Sequence, residues 1–210
     1  MPDLTLYVDA EFASPWAMAV YVALLEKKLP FALKVIDLDA GESKQPPFRD
    51  LSVSGRVPTL VHGDFVLAES SAIIEYLDEV FPAPHYAALL PADVQRRAQA
   101  RQVQAWIRSD NQAVRVERNT HVIFFGERCP ALSEAGQAAA ARLIRIAERL
   151  VDGAHLFGSW SIADVDLALM LHRLILNGDP VPQRLKDYAA AQWQRASVQQ
   201  WMAQPRASLT

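Results

Sequence analysis

The sequence predicts two structural parts, a mixed α/β domain over residues 1–80 and an all-helical domain over residues 92–210. In the first part, short β-favouring runs and helical periods follow one another in the order β-α-β and then β-β-α, which is the thioredoxin-like order. Beyond it only helical periods occur. The proline-rich residues 81–91 predict a linker between the two parts.

The first three elements form a β-α-β unit. Residues 4–8 alternate in polarity and favour β structure, which predicts a strand. A helix is predicted over residues 16–28, because Ser14 suits the N-cap and Pro15 suits the first helical position. Residues 31–38 predict a second strand, which should be parallel to the first because a helix joins the two.

A hairpin and a closing helix complete the α/β domain. Residues 39–54 are polar and proline-containing, so we expect a surface segment with at most a short helix. Two short strands should follow Pro58, joined by a tight turn at Gly63-Asp64. The next helix begins at Glu69-Ser70, and its apolar positions are predicted to pack on the core: Ile73, Ile74, Leu77 and Phe81.

Four periodic stretches predict the helices of the second part, over residues 93–119, 133–151, 157–176 and 188–203. The sharpest local motif there is a capping box, with Ser161 as the N-cap and Asp164 three positions later. We assign this motif to folding and not to catalysis.

Composition narrows the possible partners. The 210 residues carry a formal net charge of −3, which gives no reason to expect nucleic acid or a membrane. The chain has one cysteine, so an intrachain disulfide or a cysteine-rich zinc site is impossible, and no metal is predicted. The N-terminus has no signal-peptide pattern and no apolar run reaches spanning length, so a cytoplasmic protein is expected.

The stretch from Gly55 to Leu77 has the chemistry to hold a small anionic peptide. Pro58 forces the preceding residue toward an extended backbone, so Val57 can offer its N–H and C=O to an outside partner. Ser70 lies in the first turn of a helix, whose N–H groups and positive dipole end favour a carboxylate. The alternative is a structural role in which the serine only caps the helix.

Four motifs in this order carry a family resemblance: Ser14-Pro15, Val57-Pro58, Glu69-Ser70 and the capping box over residues 161–164. With them the chain resembles the cytosolic glutathione S-transferases over essentially its whole length, and is most similar to bacterial members of the serine type. The resemblance implies a cytoplasmic, homodimeric detoxification enzyme that uses glutathione as co-substrate, acts on small electrophiles and needs no metal.

The resemblance also implies roles for individual residues. The Ser14 hydroxyl would donate a hydrogen bond to the glutathione sulfur and would be the catalytic group. Val57, held by Pro58, would pair with the cysteinyl backbone. Glu69 would face the γ-glutamyl ammonium group and Ser70 the γ-glutamyl carboxylate.

Further positions are implied for the glycyl carboxylate and for the electrophile. Lys44 and Gln45 are candidates for the carboxylate, and Arg56 lies nearby but could equally be a structural arginine. The electrophile is expected between the two domains. Trp106 could equally belong to the core, but it is assigned with three other residues to the wall of this electrophile site: Trp16, Arg108 and Arg115.

Alternatives remain for the reactive group and for the activity. Tyr7 and Cys129 are rivals of Ser14, because some members of the family use tyrosine or cysteine. A packed aromatic is the favoured interpretation of Tyr7, and Cys129 lies in the helical half instead of at the first helix. The same thiolate could reduce organic hydroperoxides as a peroxidase, and the same fold could serve an isomerase, a dehalogenase or a non-catalytic interaction module.

Overall fold

The structure is a computed structural model that describes residues 3–206. Its first part is built on four strands, β1 (Leu4–Asp9), β2 (Ala32–Ile36), β3 (Thr59–His62) and β4 (Phe65–Ala68). The strand order is β2-β1-β3-β4, with β1 and β2 parallel and the other pairs antiparallel. This mixed sheet confirms the predicted thioredoxin-like order.

Helices complete the sheet unit: α1 (Pro15–Glu26), a 3-10 helix (Glu42–Lys44), α2 (Phe48–Leu51) and α3 (Ser70–Val80). Helix α1 packs against β1 and α3. The core positions predicted for α3 are confirmed, because Ile73, Ile74 and Leu77 are fully buried and Phe81 is 8% exposed.

A buried ion pair between Lys27 and Asp78 holds the segment that follows α3. The Lys27 ammonium lies 2.9 Å from a carboxylate oxygen of Asp78, and the two side chains are 0% and 4% exposed. The ammonium also donates hydrogen bonds of 2.8 Å to the carbonyls of Phe81 and Ala87. Asp78 in turn accepts a 2.9 Å hydrogen bond from Leu89 N–H. These partners replace the water that both charges lose on burial.

The second part contains helices and, within residues 90–199, no strand beyond an isolated bridge between Phe157 and Ser159. This confirms the predicted all-helical architecture. The helices are α4 (Val94–Asp110), α5 (Gln112–Glu117), α6 (His121–Phe124), α7 (Glu134–Leu150), α8 (Ile162–Asn177), α9 (Gln183–Trp193) and α10 (Ala196–Met202).

The prediction of one helix over residues 93–119 is wrong, because the chain divides at Asn111 into α4 and α5. Asn111 is 2% exposed and leaves helical geometry at φ −95° and ψ 28°. Its amide donates a 3.4 Å hydrogen bond to the carbonyl of Trp106, which satisfies an acceptor near the end of α4.

Two other helix predictions are wrong, one at its start and one because the predicted helix is interrupted. Helix α8 begins at Ile162 instead of residue 157, since the extended backbone of Ser161 makes that residue the N-cap. The stretch predicted as a helix over residues 188–203 contains the end of α9 and all of α10. The capping box at the start of α8 is confirmed, with Asp164 at its third position.

Helix α8 is the buried helix of the second part, and it carries a buried histidine. The His172 ring stacks on Trp193 with the ring centroids 4.2 Å apart, and Nδ1 donates a 3.0 Å hydrogen bond to the carbonyl of Ala168. Burial lowers the pKa of His172 to about 4, so the ring is neutral near pH 7.

Contacts divide the described chain into two compact units. One contains residues 3–89 together with residues 200–206, and the other contains residues 90–199, so the last residues of α10 are grouped with the sheet. The sequence assigned residues 200–206 to the helical domain, whereas the contacts group this C-terminal segment with the sheet.

Candidate functional site

The connections that follow β1 and β2 leave from one edge of the sheet. The two strands are parallel, with Asp9 opposite Ile36, so both end at this edge. The loop after β1 leads to Ser14, and the segment after β2 leads to Lys44 and Gln45. The residues predicted for the sulfur and for the glycyl carboxylate therefore belong to neighbouring connections.

The other predicted binding residues belong to the same edge. Strand β3 runs antiparallel to β1, so its first residue, Thr59, lies near the end of β1, and Val57-Pro58 directly precede it. Ala68, the last residue of β4, pairs with Thr59 and is followed by Glu69-Ser70. The register thus gathers the predicted sulfur, backbone and γ-glutamyl positions at one edge of the sheet.

Ser14 is the N-cap of α1, as the sequence predicts. Its backbone is extended, and its hydroxyl oxygen accepts a 3.2 Å hydrogen bond from Ala17 N–H. That bond uses a lone pair of the oxygen, so the hydroxyl hydrogen can still be donated to an outside anion. The side chain is half-buried at the positive end of a helix of 12 residues. Ser14 can therefore cap the helix and bind an anion together.

A buried carboxylate holds the loop that carries Ser14. Asp9 is 4% exposed and accepts hydrogen bonds from Ala13 N–H at 2.6 Å and from Ser14 N–H at 3.1 Å. Burial raises the pKa of Asp9, while these two N–H groups and the charge of Arg206 act in the opposite direction. The loop between β1 and α1 is thus wrapped around the Asp9 side chain.

The Val57-Pro58 peptide bond is cis and enters β3 directly. The buried Thr59 hydroxyl donates a 2.8 Å hydrogen bond to the carbonyl of Arg56 and lies 2.9 Å from the Ser52 hydroxyl, which ties the preceding loop to the strand. Arg56 itself is exposed. The N–H and C=O of Val57 form no hydrogen bond to another residue between 3 and 206, so they can pair with a peptide ligand.

Glu69 has a backbone conformation that is rare for a residue with a side chain. Its φ is 70° and its ψ is 113°, and such strain, typically about 1–3 kcal/mol, concentrates at functional sites. The Glu69 side chain is exposed, whereas Ser70 is 4% exposed and begins α3. An exposed carboxylate beside the N–H groups of a helix start suits the two opposite charges of an amino-acid end.

Lys44 and Gln45 are both exposed on the segment after β2, where Lys44 ends the 3-10 helix. Gln45 also lines a groove of about 560 Å³ together with Pro46 and Phe48. Both side chains are therefore accessible to a ligand at this edge.

Tyr7 lines that same groove, and Ser14 does not. The Tyr7 ring packs against Phe48 with the ring centroids 5.5 Å apart, and its hydroxyl accepts a 3.4 Å hydrogen bond from the Lys34 ammonium. The two candidate hydroxyls therefore have different surroundings, and only that of Ser14 lies at a helix N-terminus.

The residues predicted for the electrophile come from both units. Trp16 is half-buried in α1, and Trp106 is half-buried in α4. The indole N–H of Trp106 is buried and has no hydrogen-bond partner within residues 3–206. Their contact with a substrate stays a prediction.

Two predicted arginines form a positive patch in the helical unit. Arg108 lies 3.3 Å from a carboxylate oxygen of Asp166. Arg115 donates to the carbonyl of Ile107 at 2.8 Å and to the side chain of Gln112 at 2.7 Å. Burial and the nearby charge of Arg108 lower the pKa of Arg115. An anionic group would relieve this repulsion.

Cys129 lies in the helical unit, between α6 and α7, whereas the sheet edge belongs to the other unit. Its N–H donates a 2.8 Å hydrogen bond to the side-chain oxygen of Asn177.

No group of three or more His, Cys, Asp or Glu side chains within residues 3–206 could hold a metal ion. Over the same range, every helix is too short or too polar to cross a membrane.

Sequence reasoning missed Asp9 and Arg206. A single acidic residue that ends a strand five positions before an N-cap serine is the only sequence signal for Asp9. Arg206 gives no signal, because its contact with Phe12 joins residues 194 positions apart.

The two units and the helix-capping serine define a thioredoxin-like protein with an appended helical domain, and comparisons with known proteins identify the family. A model of the glutathione S-transferase N-terminal domain matches residues 13–80, and a model of the C-terminal domain matches residues 93–206. The second match alone spans more than half of the 210 residues. The chain belongs to the glutathione S-transferase family.

Individual relatives agree with this assignment. Glutathione S-transferase 1 of Dianthus caryophyllus is 49% identical over 85 residues, and the match covers 40% of this chain but only 37% of that protein. A glutathione transferase homologue from Burkholderia, crystallised with bound glutathione, has a TM-score of 0.80 and 48% identity, and the match covers 95% of this chain and 96% of that one. A maleylacetoacetate isomerase from Methylobacterium extorquens, crystallised with malonate and glutathione, has a TM-score of 0.74 and 26% identity, with coverage of 96% and 98%.

Proposed function

We propose that the protein is a serine-type glutathione transferase in which Ser14 stabilises the glutathione thiolate. The observation that carries this proposal is the Ser14 hydroxyl, whose oxygen accepts from Ala17 N–H at 3.2 Å and whose hydrogen can be donated at the positive end of α1. Membership of the family and the glutathione bound by the Burkholderia homologue support glutathione as the thiol.

The Ser14 hydroxyl and the N-terminus of α1 can supply the free energy needed to lower the thiol pKa of glutathione. A free thiol has a pKa of about 8.5, and lowering it by two units takes about 2.7 kcal/mol of preference for the anion. A hydrogen bond to a charged group contributes about 1.5–3 kcal/mol, and a helix N-terminus adds about 0.3–1 kcal/mol. One serine at the start of one helix is therefore sufficient.

The thiol proton leaves to solvent, and the sulfur lone pair then forms the bond to the electrophilic carbon while the leaving group departs with its bonding pair. In this proposal Val57 pairs with the cysteinyl backbone of glutathione, Glu69 binds the ammonium group and Ser70 binds the γ-glutamyl carboxylate. Lys44 or Gln45 holds the glycyl carboxylate.

Binding and chemistry should be separable by substitution. In Ser14→Ala the thiol pKa of bound glutathione, read from the ultraviolet absorbance of the thiolate, should rise by about 1.5 units toward its free value, because the helix N-terminus remains. Glutathione affinity, measured by calorimetry at pH 7, should change by less than about fivefold. In Glu69→Gln the affinity should fall at least tenfold, or about 1.4 kcal/mol, with little change in the thiol pKa.

Ser71→Ala is the matched control, because Ser71 is a half-buried serine beside Ser70 in the same helical turn. It should change neither quantity. An unchanged thiol pKa in Ser14→Ala would overturn the catalytic assignment. Equal effects of Ser14→Ala and Glu69→Gln on both quantities would show that the roles are divided wrongly.

A second candidate activity is glutathione-dependent isomerisation of an anionic substrate. The repelling guanidinium groups of Arg108 and Arg115 favour such a substrate, and one relative of similar fold is an isomerase. Trp16 and Trp106 are the aromatic groups that we assign to the electrophile. Parallel assays with a chloronitrobenzene, cumene hydroperoxide and a maleyl-type acid would rank transfer, peroxide reduction and isomerisation.

Failure of all three reactions together with absent glutathione binding would favour the non-catalytic interaction module.

We propose that the chain forms a homodimer, as the family resemblance implies. Light scattering of the purified protein tests this, and a monomer at micromolar concentration would refute it.

A further inference from the structure

We propose that Arg206 is a positioning residue for Ser14, so that the C-terminal segment, residues 200–206, completes the thiolate-binding site from within the sheet unit. This inference rests on the proposed function of Ser14. It concerns a residue that touches neither the sulfur nor the Ser14 side chain and that acts through the loop between β1 and α1.

The Arg206 guanidinium joins the C-terminal segment to that loop. One nitrogen, Nη2, donates hydrogen bonds of 3.0 Å to the carbonyls of Phe12 and Trp201. The other, Nη1, donates a 2.8 Å hydrogen bond to the carbonyl of Met202. Since one planar group holds carbonyls from both segments, the loop cannot shift without breaking a charged hydrogen bond.

Aromatic packing supports the same junction. The Phe12 and Trp201 rings meet edge to face with centroids 5.4 Å apart, and Trp201 is fully buried. Tyr21 of α1 also packs on Trp201, at 5.2 Å between centroids, and its hydroxyl accepts a 3.0 Å hydrogen bond from Gln204. The C-terminal segment therefore contacts both the loop and the helix that Ser14 caps.

The loop needs this support because its backbone is held in an unfavourable conformation. Phe12 has a φ of 51°, in the left-handed region that side-chain-bearing residues rarely adopt. Two residues later, Ser14 must place its hydroxyl hydrogen within hydrogen-bonding reach of a sulfur. Without Arg206, the Phe12 carbonyl would lose its charged partner, and only Asp9 and the start of α1 would still hold the serine.

Asp9 and Arg206 carry opposite charges and both bind the loop between β1 and α1. The buried Asp9 carboxylate holds the N–H groups of Ala13 and Ser14 from one side, at 2.6 and 3.1 Å, and the Arg206 guanidinium holds the carbonyl of Phe12 from the other. The positive charge of Arg206 stabilises the charged form of Asp9, and Asp9 does the same for Arg206. Both groups thus act on successive residues of one short loop.

The test is the thiol pKa of bound glutathione in the full-length chain. Arg206→Ala should raise this pKa by about one unit, from about 6.5 to about 7.5, which is roughly a threefold loss of thiolate at pH 7, and should leave glutathione affinity within about threefold. Arg206→Lys keeps the charge but cannot hold two carbonyls with one planar group, so its pKa should lie between those of Arg206→Ala and the unmodified protein. Asp9→Asn should raise the thiol pKa as well.

Gln200→Ala is the matched control for the C-terminal segment, and Ser14→Ala is the reference for the proposed function. Gln200→Ala changes an exposed side chain of the same segment and should leave the thiol pKa unchanged. If Ser14→Ala raises the thiol pKa and folded Arg206→Ala does not, the positioning role is refuted while the proposed function stands. If Ser14→Ala itself has no effect, the proposed function fails first. If Arg206→Ala does not fold, the Arg206→Lys and Asp9→Asn variants decide, and unchanged thiol pKa values in both refute the inference.

Discussion

Asp164 should be far more important for stability than the serine with which it forms the capping box. Its carboxylate is fully buried and accepts hydrogen bonds of 2.8 Å from Ser161 N–H, Leu156 N–H and the Tyr188 hydroxyl, and one of 3.1 Å from the Ser161 hydroxyl. The side chain therefore joins the start of α8 to the preceding loop and to α9. The perturbation that tests this is Asp164→Ala, compared with Ser161→Ala.

The expected loss of stability in Asp164→Ala follows from the hydrogen-bond donors that lose their acceptor. In Asp164→Ala the two hydroxyls can rotate to other acceptors, but the N–H groups of Ser161 and Leu156 cannot. An unsatisfied buried donor costs about 1–3 kcal/mol, so we expect a loss of about 3–5 kcal/mol once the weaker hydroxyl bonds are added. Ser161→Ala removes only the cap, which typically costs about 0.5–2 kcal/mol.

Urea unfolding followed by far-ultraviolet circular dichroism measures both losses. Because about 1 kcal/mol shifts the melting temperature of a protein of this size by about 2–4 °C, the melting temperature of Asp164→Ala, followed by the same signal, should fall by roughly 6–20 °C. Tyr188→Phe removes a single donor and should cost about 1 kcal/mol. If Asp164→Ala destabilises the protein no more than Ser161→Ala, the four hydrogen bonds to this carboxylate contribute no more than the helix cap alone.

Three further outcomes are expected. Lys27→Met should lower stability by about 3–5 kcal/mol, because it leaves the Asp78 carboxylate buried without its cation. The double variant with Asp78→Asn, which removes the unpaired charge and keeps an acceptor for Leu89 N–H, should recover part of this loss, and equal losses in both variants would exclude the unpaired charge as the cause. The unfolded His172 imidazole binds a proton near pH 6.5 and the folded one only near pH 4, so stability should be highest above pH 6.5 and should fall by about 3 kcal/mol as the pH drops to 4. Unfolding of His172→Phe measured across this range should show a flatter pH dependence, and an unchanged slope would exclude this histidine as the cause. Tyr7→Phe should leave the thiol pKa of bound glutathione unchanged, since Tyr7 lies in a groove that Ser14 does not line, and a rise as large as that in Ser14→Ala would transfer the catalytic role to Tyr7.

The elements that could be predicted are those governed by local rules. Ser14 before Pro15 marks the start of α1, and Ser161 with Asp164 marks the start of α8, because capping depends on residues within one helical turn. The predicted helix over residues 93–119 failed for the opposite reason. Asn111 ends α4 only through its buried position and its bond to a nearby carbonyl, and a hydrophobic period does not reveal either.

In the candidate site, too, local sequence patterns predict some residues but not the contacts between distant parts of the chain. The positions named from the sequence, such as Val57 and Glu69, lie directly beside strand ends, so the sheet register alone brings them together. The grouping of residues 200–206 with the sheet unit depends on contacts between opposite ends of the chain, such as Arg206 with Phe12. No local pattern encodes such a contact, and the support of Ser14 could therefore be found only in the structure.

The arrangement of supports explains why binding and chemistry should respond to different substitutions. Glu69 and Ser70 are fixed by the end of β4 and the first turn of α3. Ser14 is fixed by α1, by Asp9 and, through Phe12, by the C-terminal segment. The elements that hold Glu69 and Ser70 share no side chain with those that hold Ser14. A substitution that frees Ser14 should therefore leave Glu69 and Ser70 in place. A change near the end of the chain should thus weaken thiolate formation while the peptide part of glutathione is still bound.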